Sequence, residues 1–372
     1  MERKRVIVAM SGGVDSATAA ALLVRQGYEV IGITMRLWTL EDYEAPMHQR
    51  RCCSVEDTDD AHAVCQVLGI PHYALNLERE FREYVVDYFC QEHQRGRTPN
   101  PCLACNEHIK FRPLLAKALA LEADYLATGH YVRVVRGQQG YELRRARDAS
   151  KDQSYVLYML GQAELSRLLF PVGDYTKGEI RRIAAAMGLP VADKPDSADI
   201  CFIPDGDYRA FVAQYAAAEP GEMVDSSGRL LGQHDGISGY TIGQRRGLGI
   251  AAGEPLYVVD ICSETNTVVV GPEEELLVDL LWAEEVSFVA GAAPVGPLRV
   301  EAKSRYRSGV VPAVLTVTGD RAELRPDAPV RAVSPGQAVV FYQGDKVLGG
   351  GIIAAAGRRT QAVTYVSSNA QP

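Results

Sequence analysis

Short unbroken apolar runs alternate, over the first half of the chain, with longer stretches whose apolar residues recur three and four positions apart. The short runs at 5–10, 28–35, 70–75 and 124–128 predict buried strands, and the longer ones at 17–26, 55–68, 78–94, 107–121 and 175–187 predict helices. Strand and helix in this alternation imply an α/β fold, a mostly parallel sheet with helices on both faces and ligands held beyond the carboxyl ends of its strands. The polar segment 36–54 is expected to be irregular. Pro99 and Pro101 make 95–106 a loop by the same reading, with helix returning only at Glu107. That places Cys105 just before a helix N-terminus, where the dipole favours a thiolate. Runs at 131–135 and 141–145, joined through Gly137 and Gly140, predict a β-hairpin.

Beyond residue 208 the helical spacing thins and strand runs punctuated by glycine take over. The chain therefore divides into an α/β domain over 1–208, a small central domain over 209–278 and a β-rich domain over 279–364, with a frayed tail at 365–372. Regularly spaced short strands in the last of these, clearest at 300–306, 311–317 and 338–342, predict a small barrel or sandwich.

Composition narrows the class without deciding the chemistry. The 372 residues carry ordinary globular proportions of apolar and charged side chains. The apolar run after Met1-Glu2-Arg3-Lys4-Arg5 is too short for a signal-peptide core, and no run reaches membrane-spanning length. A soluble, cytoplasmic protein is expected. The net charge of −8 argues weakly against a nucleic-acid partner, although a large enzyme can hold a local basic surface. Arg144, Arg145, Arg147 and Lys151 form one such run, whose plainer reading is a solvated face.

The chemistry begins at Ser11-Gly12-Gly13-Val14-Asp15-Ser16, between the first predicted strand and the first predicted helix. Adjacent glycines let the backbone turn tightly, and a helix starting at Asp15 or Ser16 aims unpaired N–H groups and its positive end at an anion. No lysine follows as in GxxxxGK[ST], and GxGxxG spacing is absent, which leaves a pyrophosphate cradle. SGGxDS after a first strand resembles the PP-loop ATP pyrophosphatases. Met35, at the end of the second strand, lies either against a nucleotide base or in the core.

Eight cysteines in a chain with no export signal suggest catalytic, redox or metal chemistry before a disulfide framework. Cys65, Cys90 and Cys262 read as packing residues, and Cys52-Cys53 stays unassigned. Cys102, Cys105 and Cys201 fall in proline-bearing segments of the kind that display reactive groups. CxxC with one distant cysteine is one ligand short of a closed zinc site. It suits either a thiol relay, in which Cys105 and Cys201 approach to disulfide range, or an open-sided metal centre such as a [4Fe–4S] cluster on Cys102, Cys105 and Cys201.

With these residues in place the sequence resembles the bacterial tRNA-specific 2-thiouridylase family over nearly its whole length. The resemblance runs through Met10 to Ser16, Thr98 to Asn106, Thr128-Gly129-His130-Tyr131, Lys151-Asp152-Gln153-Ser154-Tyr155, Asp199-Ile200-Cys201-Phe202-Ile203, Tyr240 to Gly247, Arg305-Tyr306-Arg307 and Pro335-Gly336-Gln337. It implies a Rossmann-like PP-loop domain, a small central domain and a C-terminal β-barrel. It also implies ATP, with Mg²⁺, bound by Ala9, Met10, Ser11, Gly12, Gly13, Val14, Asp15, Ser16, Met35 and Gly129. Cys201 would bear a persulfide sulfur, and Cys105 would be the nucleophile that forms a transient disulfide with it. Asn100, Pro101 and Cys102 would lie against the target base, and His130, Lys151, Asp152, Gln153, Arg305, Tyr306 and Gln337 would contact tRNA. A cysteine desulfurase or a sulfur-relay protein would charge Cys201. Some members carry aspartate where this chain has Cys102, so an acid–base role for that aspartate does not transfer. Two other readings fit parts of the pattern: a PP-loop carbon–nitrogen ligase, which has no need of paired loop cysteines, and a non-catalytic RNA-binding protein that retains ATP.

Overall fold

The computed structural model describes residues 3–38, 55–196, 200–203, 206–215, 219–250 and 253–357. Cys52, Cys53, Asp199, most of the expected irregular segment and the tail lie outside the described residues.

The first sheet contains β1 (Arg5–Ala9), β2 (Glu29–Arg36), β3 (His72–Asn76) and β4 (Tyr125–Ala127), together with a short strand, Leu168–Leu169, at one edge. All pairings are parallel, in the order β3-β2-β1-β4-Leu168–Leu169. The chain moves outward from β1 to β3 and then crosses to β4 on the other side of β1. The gap between the carboxyl ends of β1 and β4 is therefore the topological switch point, where open α/β sheets hold ligands. Central β1 is buried over Val6 to Ala9, as a strand covered on both faces must be, whereas edge strand β3 leaves Tyr73 and Ala74 to solvent. Helix α1 (Val14–Arg25), whose alanines pack it closely against the sheet, and α2 (Val55–Leu68) follow β1 and β2. α1 starts at Val14, slightly earlier than the glycine loop suggests.

The segment around the two prolines is the main departure. Helix begins at Pro101, not Glu107, and runs continuously over 101–120. Pro101 occupies the first helical position, where its missing N–H and fixed φ cost nothing, and the Asn100 side chain caps the turn by accepting from the Cys102 N–H at 3.0 Å. The interior proline, Pro113, has no N–H to give, and the helix takes π geometry over Asn106–Leu114 to pass it. Cys102 and Cys105 are thus helical, and Cys105 is buried inside the helix instead of preceding it.

The hairpin β5 (Val132–Gly137) and β6 (Gly140–Arg145) forms as expected, but β6 pairs with a C-terminal strand, Lys346 opposite Arg144. That strand, Lys346–Gly357, belongs to a six-stranded antiparallel barrel in the order Leu280–Phe288, Arg321–Pro326, Val311–Thr318, Leu298–Lys303, Ala338–Gln343 and Lys346–Gly357, closed by pairing of first and last. Between the two lies a four-stranded sheet formed by Gly221–Asp225, Leu230–His234, Tyr257–Cys262 and Thr267–Gly271. The fold is thus α/β with a parallel-sheet first domain, a small central domain and a C-terminal β-barrel. Cys65 and Cys90 are buried, and burial pushes their thiols up to about 11 and about 12, with Asp87 adding to the second. Cys262 ends its strand only half-buried, because an end position has neighbours on one side alone.

Barrel and α/β domain share one apolar core, in which Val132, Leu143 and Tyr155 pack with Ala338, Val340, Tyr342 and Val347. Polar bonds fix the register: Tyr155 donates its hydroxyl to the Ala338 carbonyl at 2.8 Å, and the Arg145 guanidinium stacks 4.1 Å from the Tyr342 ring centre. At the joint with the central sheet, buried His93 lies between Phe89 (4.6 Å) and Tyr208 (4.9 Å). Burial holds its pKa at about 4, below the ordinary 6.5, with a backbone hydrogen bond at Ser238 opposing the shift. The unfolded chain therefore takes up a proton that the folded chain refuses. This contribution to stability is complete above pH 6.5 and is lost as pH falls toward about 4. His93→Phe is expected to flatten that dependence. Urea midpoints at about pH 7 and about pH 5 check it, and an equal loss in wild type and variant would place the acid sensitivity elsewhere.

Candidate active site

The chain leaves β1 at Met10 and enters α1 at Val14 through the two glycines. Gly12 has φ of +70°, and a Cβ there would sit 2.4 Å from the Asp57 carbonyl oxygen, so the position admits only glycine. Ser16 closes the loop on itself: its Oγ accepts from the Ser11 N–H and donates to the Gly13 carbonyl, each at 3.1 Å. Gly13 is the N-cap of α1 and has no side chain to satisfy the first-turn amides, which leaves them for an anion. Across the switch point, Gly129 follows β4. A Cβ on it would lie 2.6 Å from the Ser16 nitrogen, so the two loops meet with no room between them. Ala9 and Met35, at the ends of β1 and β2, are buried in one apolar cluster, which gives Met35 a core role.

Charged side chains from the far end of the domain converge on this loop. Lys177 donates to both Asp15 oxygens at 2.8 Å and pairs with Asp196 at 2.9 Å, while Tyr131 donates its hydroxyl to Asp15 Oδ1 at 2.8 Å. Asp196 also takes Lys151 (2.8 Å) and Arg181 (3.1 Å). Its partial burial pushes its pKa up, but the hydrogen bonds from Lys151 and Lys177 outweigh that and bring it to about 2. Burial and the Asp15 carboxylate hold the Tyr131 hydroxyl firmly protonated. On the other side, Lys194 pairs with Asp57 (2.6 Å) and Asp60 (2.5 Å) and donates to the Gly12 carbonyl at 3.1 Å.

Sequence reasoning did not assign Tyr131, Lys177, Lys194, Asp57, Asp60 or Asp196 to the phosphate loop. A local signal existed for one of them. Lys177 is the first residue of its helix, Lys177–Ala186, where a cation opposes the helix dipole unless an anion sits nearby.

The thiols belong to the apolar core that also takes in the end of β1. Leu103, Ala104 and Cys105 belong to the cluster that holds Ala9 and Met35, and half-buried Cys201 packs against it beside Phe202. Cys102, the second helical residue, is exposed, so the position that the dipole favours falls to it and not to Cys105. Among the described residues no group of three or more His, Cys, Asp or Glu side chains is gathered as a metal site.

The residues expected to face RNA are placed in three ways. His130 accepts or donates through Nδ1 to Thr128 Oγ1 at 2.8 Å, and burial, with Lys110 nearby, holds it well below its ordinary pKa. Asp152 and Gln153 turn inward: Asp152 accepts from the Ala146 and Ser154 N–H groups (3.0 and 3.2 Å), and Gln153 Oε1 accepts from the Tyr131 N–H (2.9 Å). Arg305 and Gln337 sit at domain joints. Arg305 Nη2 donates to the Ile242 carbonyl (3.0 Å) and Ser334 Oγ (2.9 Å), and burial lowers its pKa. Gln337 Nε2 donates to the Thr98 carbonyl (2.7 Å), and the Thr98 N–H donates to the Pro335 carbonyl (2.8 Å). Pro335-Gly336-Gln337 thus clamps the strand of chain that leads into Asn100, Pro101 and Cys102. Half-buried Tyr306 lies 6.0 Å from the Tyr155 ring centre.

Three family models match the chain in order: a tRNA methyl transferase HUP domain over residues 4–205, a tRNA methyl transferase PRC-barrel domain over 209–272 and an aminomethyltransferase beta-barrel domain over 278–353. The tRNA-specific 2-thiouridylase MnmA of Roseiflexus castenholzii is 50% identical over 369 residues, spanning 94% of this chain and 99% of its own. The proteins of the same name from Pelotomaculum thermopropionicum and Geobacter metallireducens are 49% and 51% identical, over 96% and 95% of this chain and 99% and 98% of theirs. The model descriptions speak of methyl transfer and the relatives of thiolation. The relatives decide, because their identity runs at about one residue in two from the glycine loop to the barrel. The chain belongs to the family of the tRNA-specific 2-thiouridylases MnmA.

Proposed function

We propose that the protein is a tRNA-uridine 2-sulfurtransferase, which converts the wobble uridine of tRNA to 2-thiouridine with ATP and a cysteine persulfide. The observation that carries the reading is the shared apolar cluster in which the end of β1, the Cys105 helix turn and Cys201 pack together. That core takes in residues next to the phosphate loop together with two thiols from segments far apart in the chain, which supports the reading. Carbon–nitrogen ligation and bare RNA binding leave that pairing of thiols without a purpose.

The uridine C2 carbonyl is a poor electrophile. Attack of its oxygen on the α-phosphorus of ATP places AMP on that oxygen and releases pyrophosphate, whose charge the Gly12–Ser16 amides are built to receive. Asp15 is the one carboxylate of the loop and would be its ligand to Mg²⁺ on exchanging the Lys177 ammonium that it now holds, and the ion would screen phosphate charge there. Cys105 as thiolate then attacks the inner sulfur of the Cys201 persulfide. A Cys105–Cys201 disulfide forms and hydrosulfide leaves, adds to C2 and expels AMP, so the later reduction of the disulfide by external thiol restores the enzyme. Direct attack by the terminal persulfide sulfur on C2 is the shorter variant. Asn100, Pro101 and Cys102, held by the Gln337 clamp, would meet the splayed base, and His130, Lys151, Asp152, Gln153, Arg305 and Tyr306 would lie along the anticodon arm, in keeping with the single-stranded mode of RNA reading. A desulfurase or relay protein would load Cys201.

Mass analysis of tRNA nucleosides from a deletion strain tests the reading: 2-thiouridine is expected to disappear while other modifications persist, and its persistence would reject the assignment. In the relay, Cys201→Ser is expected to take up no labelled sulfur from a desulfurase, whereas Cys105→Ser takes it up and makes no 2-thiouridine. The opposite pattern would exchange the two roles. Gly129→Ala must push the start of α1 away from β4. It is expected to weaken ATP binding by about tenfold or more while tRNA affinity in a filter assay holds, and an equal loss of both would deny that the loop serves phosphate alone.

A further inference from the structure

Lys194 stands 182 positions from Gly12 in the chain, yet its ammonium reaches the Gly12 carbonyl oxygen at 3.1 Å while pairing with Asp57 and Asp60. Three N–H donors meet three acceptors, so the group is fully used. Burial lowers its pKa, and the two carboxylates more than offset that, so Lys194 stays charged at neutral pH.

The Gly12 carbonyl and the Gly13 N–H belong to one planar trans peptide and point in opposite directions. A carbonyl held on Lys194 therefore turns the Gly13 N–H away from Lys194 and its carboxylates. A charge-assisted bond at the oxygen end also polarises the peptide and makes its N–H a stronger donor.

We propose that Lys194 is a positioning residue of the phosphate loop: acting through the Gly12–Gly13 peptide, it orients and polarises the Gly13 N–H that receives the pyrophosphate of ATP. Asp57 and Asp60 set how much of the ammonium charge reaches that peptide. The proposal rests on the ATP reading above and deepens it. A loop with no lysine in its own motif gains cationic assistance from behind, without an ammonium touching phosphate as in GxxxxGK[ST] loops.

The test is calorimetric titration of the full chain with inorganic pyrophosphate, and separately with ATP, at constant Mg²⁺, with thermal melts to confirm folding. Lys194→Met is expected to weaken both ligands by about tenfold or more, the loss typical of a charge-assisted hydrogen bond, and Lys194→Arg to restore most of it. Asp60→Asn is expected to tighten both several-fold, because Lys194 then has one less charge competing for it, and to have no effect once Lys194 is Met. A strut would behave differently, since loosening it at Asp60 would weaken binding. Unchanged affinity in Lys194→Met, weaker or unchanged affinity in Asp60→Asn, or equal tightening by Asp60→Asn with and without Lys194 would each overturn the proposal. If Lys194→Met does not fold, the Asp60→Asn and Lys194→Arg arms decide. A wild-type chain that binds neither ligand would instead reject the ATP reading itself.

Discussion

Two close approaches of backbone to backbone govern the active end of the first domain. Gly12 lies against Asp57 at the start of α2, and Gly129 lies against Ser16 at the start of α1, each so tightly that a single methyl group would collide. Close packing of this kind transmits small shifts without absorbing them. The phosphate loop is therefore fixed from both flanks by elements that lie far apart in the chain, and its amides are set before any ligand arrives. Preorganised donors of this sort are usually the largest single contribution a site makes to stabilising developing negative charge.

Charge around the loop follows from that rigidity. Asp15, Asp57, Asp60 and Asp196 would repel one another and any phosphate if left alone, and Lys177, Lys194, Lys151 and Arg181 are interleaved with them. The paired state is nearly neutral and holds the last third of the α/β domain against its first turn. Lys151, expected to face tRNA, and Asp15, expected to face ATP, are joined through Lys177 and Asp196, so the two ligand sides of the site share one ionic chain.

The barrel applies the same constraint to the chain that leads into the Cys102–Cys105 helix turn. Its Pro335-Gly336-Gln337 turn holds Thr98 by both its N–H and its carbonyl, and Thr98 precedes the capped helix start that carries Cys102 and Cys105. The β5–β6 hairpin, part of the α/β stretch in sequence, pairs into the barrel sheet, and one apolar core runs through both domains. Barrel and α/β domain are thus parts of one packed body.

Elements whose signal is local were legible in the residues alone: the alternating strands and helices, the SGGVDS turn, the change to short strands after about residue 208, and the motif order that marks the family. The loop expected over 95–106 holds for 95–100 and fails from Pro101 on, because a proline counted as a helix breaker is a helix starter when an asparagine caps the turn before it. Packing alone brings Lys177 and Lys194 to the glycine loop, Arg305 and Gln337 across the domain joints, and Cys105 and Cys201 to one core. These contacts join residues separated by up to 239 positions, as between Thr98 and Gln337. Side-chain patterns repeat over a turn or a strand, so they carry no record of which distant surfaces will be pressed together when the layers pack.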